Sequence, residues 1–315
     1  MSTARAFVFP GQGSQAPGMG RAVRDAFPAA AETWEEVDDA LSLALSRLAF
    51  EGPDADLTRT EFAQPALLTH SLALLRVMER EGGVTIARAA QYAAGHSLGE
   101  YTALTAAGSF SLPDAVRLVR RRGQAMQAAV PVGEGAMAAL IGADLEAADA
   151  LVDAAAAGDV LAIGNDNAPG QVVVSGTAAA VDRAAALAPE HGFRRAIRLT
   201  VSAPFHCALM EPAAREMEEA LAGLTIRPPT MSVIANVNAD AMGAPAMIRD
   251  LLVAQVTGRV RWRESMERLR QDGVETLVEV GPGKVLSGLA RRIDRGFETM
   301  NVAEPEDLEA LMRAL

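Results

Sequence analysis

Three polar side chains in this sequence stand where chemistry, more than packing, would ask for them: Ser97, His206 and Arg122. Ser97 is the centre of Gly95-His96-Ser97-Leu98-Gly99, a match to G-x-S-x-G. Gln91 to Ala94 reads as the end of a short strand and Tyr101 to Ala107 as a helix. The serine between them is pushed out on a sharp, strained strand-to-helix turn. Gly95 and Gly99, without a Cβ, leave room for neighbouring chain. The helix that follows offers free N–H groups and a positive dipole end. That suits a nucleophile whose reaction builds an oxyanion beside it. The plainer alternative is a glycine-bounded turn with an ordinary serine.

A serine nucleophile needs a base, and four histidines are available. His96 adjoins Ser97, and neighbours in a turn point apart. His70 lies among apolar residues of a helix and reads as packed. His191 ends a helix beside Gly192 and reads as exposed. His206 follows Pro204-Phe205 and comes after the serine in the chain, as the base does in α/β-hydrolases. It is the base of choice. No acid between Ser97 and His206 is well placed to orient it, since Asp114 opens a helix. A neutral acceptor can fix the imidazole tautomer instead.

Arg122 stands out by its position on a helical wheel. Ser111-Leu112-Pro113-Asp114 is a helix start, with proline at an early position. Ala115, Leu118, Val119, Ala125, Met126 and Ala129 form the apolar stripe of a helix that runs to about Val130. Arg122 falls inside the stripe, whereas Arg117, Arg120 and Arg121 fall outside it. A guanidinium on a buried face needs an anion. That anion is either an internal Asp or Glu, or a substrate carboxylate held by both fork nitrogens.

The elements that must carry these residues follow an alternating pattern. Ala6 to Phe9 is a buried strand entering Pro10-Gly11-Gln12-Gly13-Ser14-Gln15, a loop whose N–H groups suit a ligand. Helices are expected at Met19 to Ala31, Trp34 to Leu48 and Gln64 to Arg80, with a turn at Gly52 to Asp56. Residues 135 to 202 break the pattern: strands at Ala136 to Ala143, Val160 to Gly164, Gln171 to Ser175 and Arg195 to Val201. With helices at Asp144 to Ala157 and Ala178 to His191, this is a β-α-β-β-α-β, ferredoxin-like order, with a turn at Asn165 to Gly170. The last third alternates again, with strands near Ser232 to Asn236, Thr276 to Val280 and Thr299 to Val302. Alternation on both sides of an insertion argues a parallel α/β sheet. The expected division is 1-130 with 203-315 as a large unit, and 131-202 as a small one.

Composition narrows the function classes. With 315 residues, half of them hydrophobic, the chain can bury a sizeable core. A net charge of −11 argues against nucleic-acid binding. No apolar run approaches the ~18 residues of a membrane span, and no signal-type stretch opens the chain. One cysteine, Cys207, excludes an internal disulfide framework. The histidines show no zinc spacing, so neither metal nor cofactor is expected. A cytoplasmic protein is the expectation.

Taken in order, several segments resemble the malonyl-CoA:acyl carrier protein transacylases, the acyltransferase family that loads malonyl units for fatty acid and polyketide synthesis. They are Phe9-Pro10-Gly11-Gln12-Gly13-Ser14-Gln15, Gly95-His96-Ser97-Leu98-Gly99-Glu100, Arg122-Gly123-Gln124-Ala125-Met126-Gln127, Asn165 to Gln171, Pro204-Phe205-His206-Cys207, Gln255, and Glu279 to Lys284. The resemblance covers nearly the whole chain. It implies an α/β-hydrolase-like sheet domain with a ferredoxin-like insertion. It implies that Ser97 is acylated and that His206 is the general base. The side-chain or backbone carbonyl of Gln255 would orient His206, and backbone N–H groups of Gln12 and Leu98 would form the oxyanion hole. Arg122 would hold the malonyl carboxylate, with Gln12 and Phe205 also at the substrate. The implied partners are malonyl-CoA and, transiently, acyl carrier protein, with the enzyme a monomer. Docking of an acidic carrier would use local basic groups, with Arg117, Arg120, Arg121, Arg194, Arg195, Arg198, Arg291 and Arg292 as candidates. The alternatives are a stand-alone acyltransferase serving a polyketide synthase, a serine acyl hydrolase, or a non-catalytic acyl-binding module.

Overall fold

Short apolar runs separated by amphipathic helices give this chain its main sheet. The computed structural model describes residues 4–201 and 203–315; Ser202, the last residue of the expected insertion, lies outside them. The strands are β1 Ala4–Phe9, β2 Tyr92–Gly95, β3 Gly135–Ile141, β4 Leu161–Ala168, β5 Gln171–Thr177, β6 Arg195–Arg198, β7 Ser232–Ile234, β8 Ala241–Met242, β9 Val274–Val280 and β10 Glu298–Val302. The larger sheet has the order β10-β9-β1-β2-β7-β8. Its first five strands are parallel, and β8 closes one edge antiparallel to β7. In the middle of the sheet, β1 buries alternate residues in two different cores. Phe7 and Phe9 join one cluster, Ala6 and Val8 the other. Helices therefore cover both faces, as a parallel sheet requires.

The smaller sheet is β4-β5-β3-β6, antiparallel throughout. Helices Leu145–Ala156 and Ala178–Leu187 pack on it around Leu140, Leu151, Val174 and Val181. Numbered within the insertion, that order is 4-1-3-2 read from β6, the ferredoxin-like arrangement. The chain is thus an α/β-hydrolase-like parallel sheet with a ferredoxin-like βαββαβ unit set between β2 and β7.

Several boundaries differ from expectation. The stretch expected as two helices is three: Arg21–Ala26, Pro28–Leu41 and Leu45–Glu51. Pro28 lacks an N–H and has a preset φ, so a helix starts there, and Trp34 is buried in its middle. The helix after the serine begins at Leu98, three residues earlier than expected, which makes Ser97 its N-cap. Helix Thr60–Arg80 also starts early, and residues 54–57 form a short helix in place of a turn. The expected turn at 165–170 shrinks to Pro169-Gly170. Asn165, Asp166 and Asn167 belong to β4, whose pairing with β5 shifts register twice. Those irregularities let Asn165 bridge to Val260 outside the small sheet. The helix start at Ser111 is as expected: Ser111 Oγ accepts from the Asp114 N–H, and the helix runs Leu112–Ala128.

Candidate active site

The site lies at the carboxyl ends of β1 and β2, where parallel α/β sheets place their clefts. Ser97 has φ 52° and ψ −106°, a backbone shape that few non-glycine residues adopt. Its neighbours make that shape possible. A Cβ on Gly95 would stand 1.9 Å from Gly99 C, and one on Gly99 would stand 2.2 Å from Phe9 O. Two side chains clamp the turn. Ser97 N–H donates to Asn236 Oδ1 (2.7 Å), and Asn236 Nδ2 donates to Gly95 O (2.7 Å). Gln255 Nε2 donates to Ser97 O (2.9 Å).

His206 is buried and also has a positive φ, 61°. Its Nε2 lies 2.8 Å from Ser97 Oγ, and its Nδ1 lies 2.8 Å from Gln255 O and 3.2 Å from Gly258 O. Both carbonyls sit at the C-terminal end of helix Pro245–Thr257, where the last carbonyls lack partners and the dipole is negative. Two acceptors at Nδ1 place the hydrogen there and leave Nε2 to accept the serine proton. Of the two carbonyls of Gln255, the backbone one meets His206 Nδ1. Burial, and then the charge of Arg122, lower the His206 pKa to about 3, so the imidazole is neutral in the resting site.

Arg122 is 1% exposed. Its Nη1 donates to Gln64 Oε1 (2.9 Å), and its Nη2 to Gln255 Oε1 (2.9 Å) and Ser97 Oγ (3.1 Å). The guanidinium also lies 5.3 Å from the centre of the Tyr101 ring. Every one of these partners is neutral. Glu100, a fully buried carboxyl, is one amide away: its Oε2 accepts from Gln255 Nε2 (3.0 Å) and from the Asn236 N–H (2.8 Å). Arg122 therefore lacks a direct carboxylate partner among the described residues, and it stands at hydrogen-bond distance from the serine oxygen.

Leu98 opens the helix, so its N–H has no intrahelical acceptor. Neither that N–H nor the Gln12 N–H donates to a protein acceptor among the described residues, and both residues line the cleft. The Gln12 side chain is held by Thr60 Oγ1 (3.1 Å). Phe205 forms part of the wall next to His206. The cleft holds about 140 Å³, room for an acyl group of a few carbons. Met137, Asn165 and Leu199 bring the inserted unit to its wall. Chemically, the arrangement offers a hydroxyl bonded to a neutral imidazole and, among the described residues, two N–H groups without protein acceptors and a buried cation without a directly bonded carboxylate.

The structure thus brings Ser97, His206, Gln255, Gln12, Leu98, Arg122 and Phe205 to one cleft. Among the described residues, no other histidine is bonded to the serine oxygen. His96 turns its Nε2 to Asn167 Oδ1 (2.8 Å) and packs on Trp262. His70 is buried, with Nε2 3.0 Å from Ala303 O. Cys207 is buried and donates to Pro204 O (3.2 Å). Among the candidate docking arginines, Arg117, Arg120 and Arg121 meet Ala40 O, Leu41 O and Glu216, and Arg198 pairs with Asp182. Arg194 and Arg195 are exposed. Sequence reasoning missed Gln64, Asn236 and Glu100. Asn236 carried a signal, a polar residue closing an expected strand, and Glu100 ends the serine motif; Gln64 carried none beyond an amide in an apolar helix.

Comparison with known proteins gives the family. The acyl transferase domain model matches residues 6–309. A malonyl CoA-acyl carrier protein transacylase of Bacillus subtilis (strain 168) is 47% identical over 311 residues, covering 98% of this chain and 96% of the relative. The crystal structure of an acyl-carrier-protein S-malonyltransferase from Bartonella henselae is 51% identical, with a TM-score of 0.96 over 99% of both chains. A malonyl-transacylase solved in complex with its type II PKS acyl-carrier protein is 40% identical, with a TM-score of 0.96 over 99% of this chain and 100% of that one.

Proposed function

This chain belongs to the acyl transferase family, and from that premise we propose that it carries a malonyl group from malonyl-CoA to the phosphopantetheine thiol of acyl carrier protein, for fatty acid synthesis. The observation that carries the reading is Arg122: a buried guanidinium with only neutral partners, 3.1 Å from Ser97 Oγ. An acyl group ending in a carboxylate completes that site, whereas an acetyl group leaves the cation unpaired.

Ser97 Oγ attacks the thioester carbonyl while His206 Nε2 takes its proton. The C–S bond breaks, the proton passes to the departing CoA sulfur, and a malonyl ester remains on Ser97. In the second half, His206 takes the proton of the phosphopantetheine thiol. The sulfur attacks the ester, and the proton returns to Ser97 Oγ. The N–H groups of Gln12 and Leu98 hold the oxyanion in both halves. The Gln255 backbone carbonyl orients His206, its side chain holds Arg122 and the Ser97 carbonyl, and Phe205 crowds a substituent at C2 of the acyl group. Residues 131-202 act as a small subdomain closing over a large catalytic one, and the enzyme works as a cytoplasmic monomer. The relative solved with a type II PKS acyl-carrier protein supports a second reading, service to a polyketide synthase, with the same chemistry.

Intact-mass measurement after brief mixing with malonyl-CoA tests the reading. One malonyl adduct on Ser97, discharged by a carrier protein, is expected. Steady CoA release without an adduct would point to a hydrolase.

A further inference from the structure

Glu100 takes no part in the steps above, yet its carboxyl is fully buried behind the nucleophile. Its Oε2 is held by Asn236 N–H and Gln255 Nε2, while its Oε1 is buried without a donor among the described residues. The same Gln255 amide offers its oxygen to Arg122 and its nitrogen to the Ser97 carbonyl. Guanidinium, amide and carboxyl thus form one buried chain.

Resting on the transacylase reading, we infer that Glu100 is a positioning residue that sets the carboxylate selectivity of the site. Its hydrogen bond fixes which way the Gln255 amide faces, and its charge is an internal anion that opposes a substrate carboxylate at Arg122. With Glu100 ionised, an incoming acyl carboxylate meets a cation that is already partly compensated. With Glu100 neutral, no other carboxylate among the described residues is bonded to the cation, and it draws the substrate carboxylate harder. Elements packed on helix Leu98–Ala106 are β1, β2, β7 and helices Thr60–Arg80 and Leu112–Ala128. The charge that acts on Glu100 from them is that of Arg122. Tyr101 beside it is pushed up to about 12 by burial and stays neutral. His206 is held near 3, and burial lowers His96. Burial raises Glu100 to about 7 against the lowering by its Gln255 and Asn236 hydrogen bonds and by Arg122, so its charge changes near neutral pH.

The test is the rate of acyl-enzyme formation from malonyl-CoA and from acetyl-CoA at pH 6 and pH 8, for wild type, Glu100→Gln and Glu100→Ala. In wild type the malonyl-to-acetyl ratio should fall on the order of tenfold from pH 6 to pH 8, the effect of one charge acting across an intervening amide. Glu100→Gln keeps an oxygen for both donors, so its ratio should be high and flat with pH. Glu100→Ala should also be flat, but slower with both donors, because the Gln255 amide is released. A wild-type ratio independent of pH would overturn the inference without any variant having to fold. So would a folded Glu100→Gln that keeps the wild-type pH dependence. If wild type takes no malonyl adduct at either pH, the transacylase reading itself fails instead.

Discussion

Replacing Arg122 by methionine separates a carboxylate receptor from a structural cation. The guanidinium is buried and already meets three neutral oxygens, on Gln64, Gln255 and Ser97. A malonyl carboxylate adds charge-assisted hydrogen bonds that an acetyl group cannot make. Two such bonds contribute about 3–6 kcal/mol, and because they displace existing neutral contacts the lower end applies. About 3 kcal/mol is a rate ratio of roughly 10². Arg122→Met should therefore lower malonyl loading about a hundredfold and leave acetyl loading within a few fold, so that the preference collapses. A second signature follows from the base. The Arg122 charge is the second cause, after burial, of the depressed His206 pKa. Removing it lets that pKa rise from about 3, so the acid limb of the acetyl-loading profile should move to higher pH. Single-turnover loading followed by intact mass, across pH 4 to 8, reads both effects. A malonyl-to-acetyl ratio equal to that of wild type would refute the reasoning, since the cation would then have no carboxylate to receive.

Ser97→Ala should bind malonyl-CoA yet show no mass adduct; an adduct retained on the variant would remove Ser97 from the mechanism. Gly95→Ala should fail to accumulate as folded protein, because its Cβ would overlap Gly99 backbone at 1.9 Å, and a normal melting curve would contradict that packing. Glu100 should also shape stability against pH. Its folded pKa is about 7 against an ordinary 4.5, so the unfolded chain loses its proton first. Stability is then lost as pH rises from 4.5 to 7, by about 3 kcal/mol in total, and is constant with respect to this group outside that window. Glu100→Gln should lack this slope in urea unfolding, and an unchanged slope would assign it to another group. Phe205→Ser should admit an acyl donor with a methyl at C2, read as an adduct from methylmalonyl-CoA that wild type forms poorly.

What could be read from the sequence was mostly local. The elbow needs two glycines four residues apart and a strand before them, and all three are adjacent in the chain. Arg122 showed itself because helical periodicity converts a position number into a buried face. The alternation of strands and helices gave the parallel sheet, and its interruption gave the ferredoxin-like order. What stayed hidden depends on packing between distant segments. Gln64 and Gln255 meet Arg122 only because helices Thr60–Arg80, Leu112–Ala128 and Pro245–Thr257 converge. Asn236 reaches the elbow across 139 residues of chain. Asn165 to Asn167 read as a turn from composition, since Asn and Asp favour turns, but pairing with β5 overrides that preference.

The carbonyls that hold His206 have an evolutionary corollary. In sites where a carboxylate side chain orients the base, one codon encodes that orienter, and a single nucleotide change can erase it. Here the acceptors at Nδ1 are main-chain oxygens of Gln255 and Gly258. Every amino acid carries a carbonyl, so no codon specifies this part of the site. Its inheritance is spread over all the residues that make helix Pro245–Thr257 end where it does. Variation at positions 255 and 258 can alter what surrounds His206, but the acceptor itself can be lost only by moving the helix end.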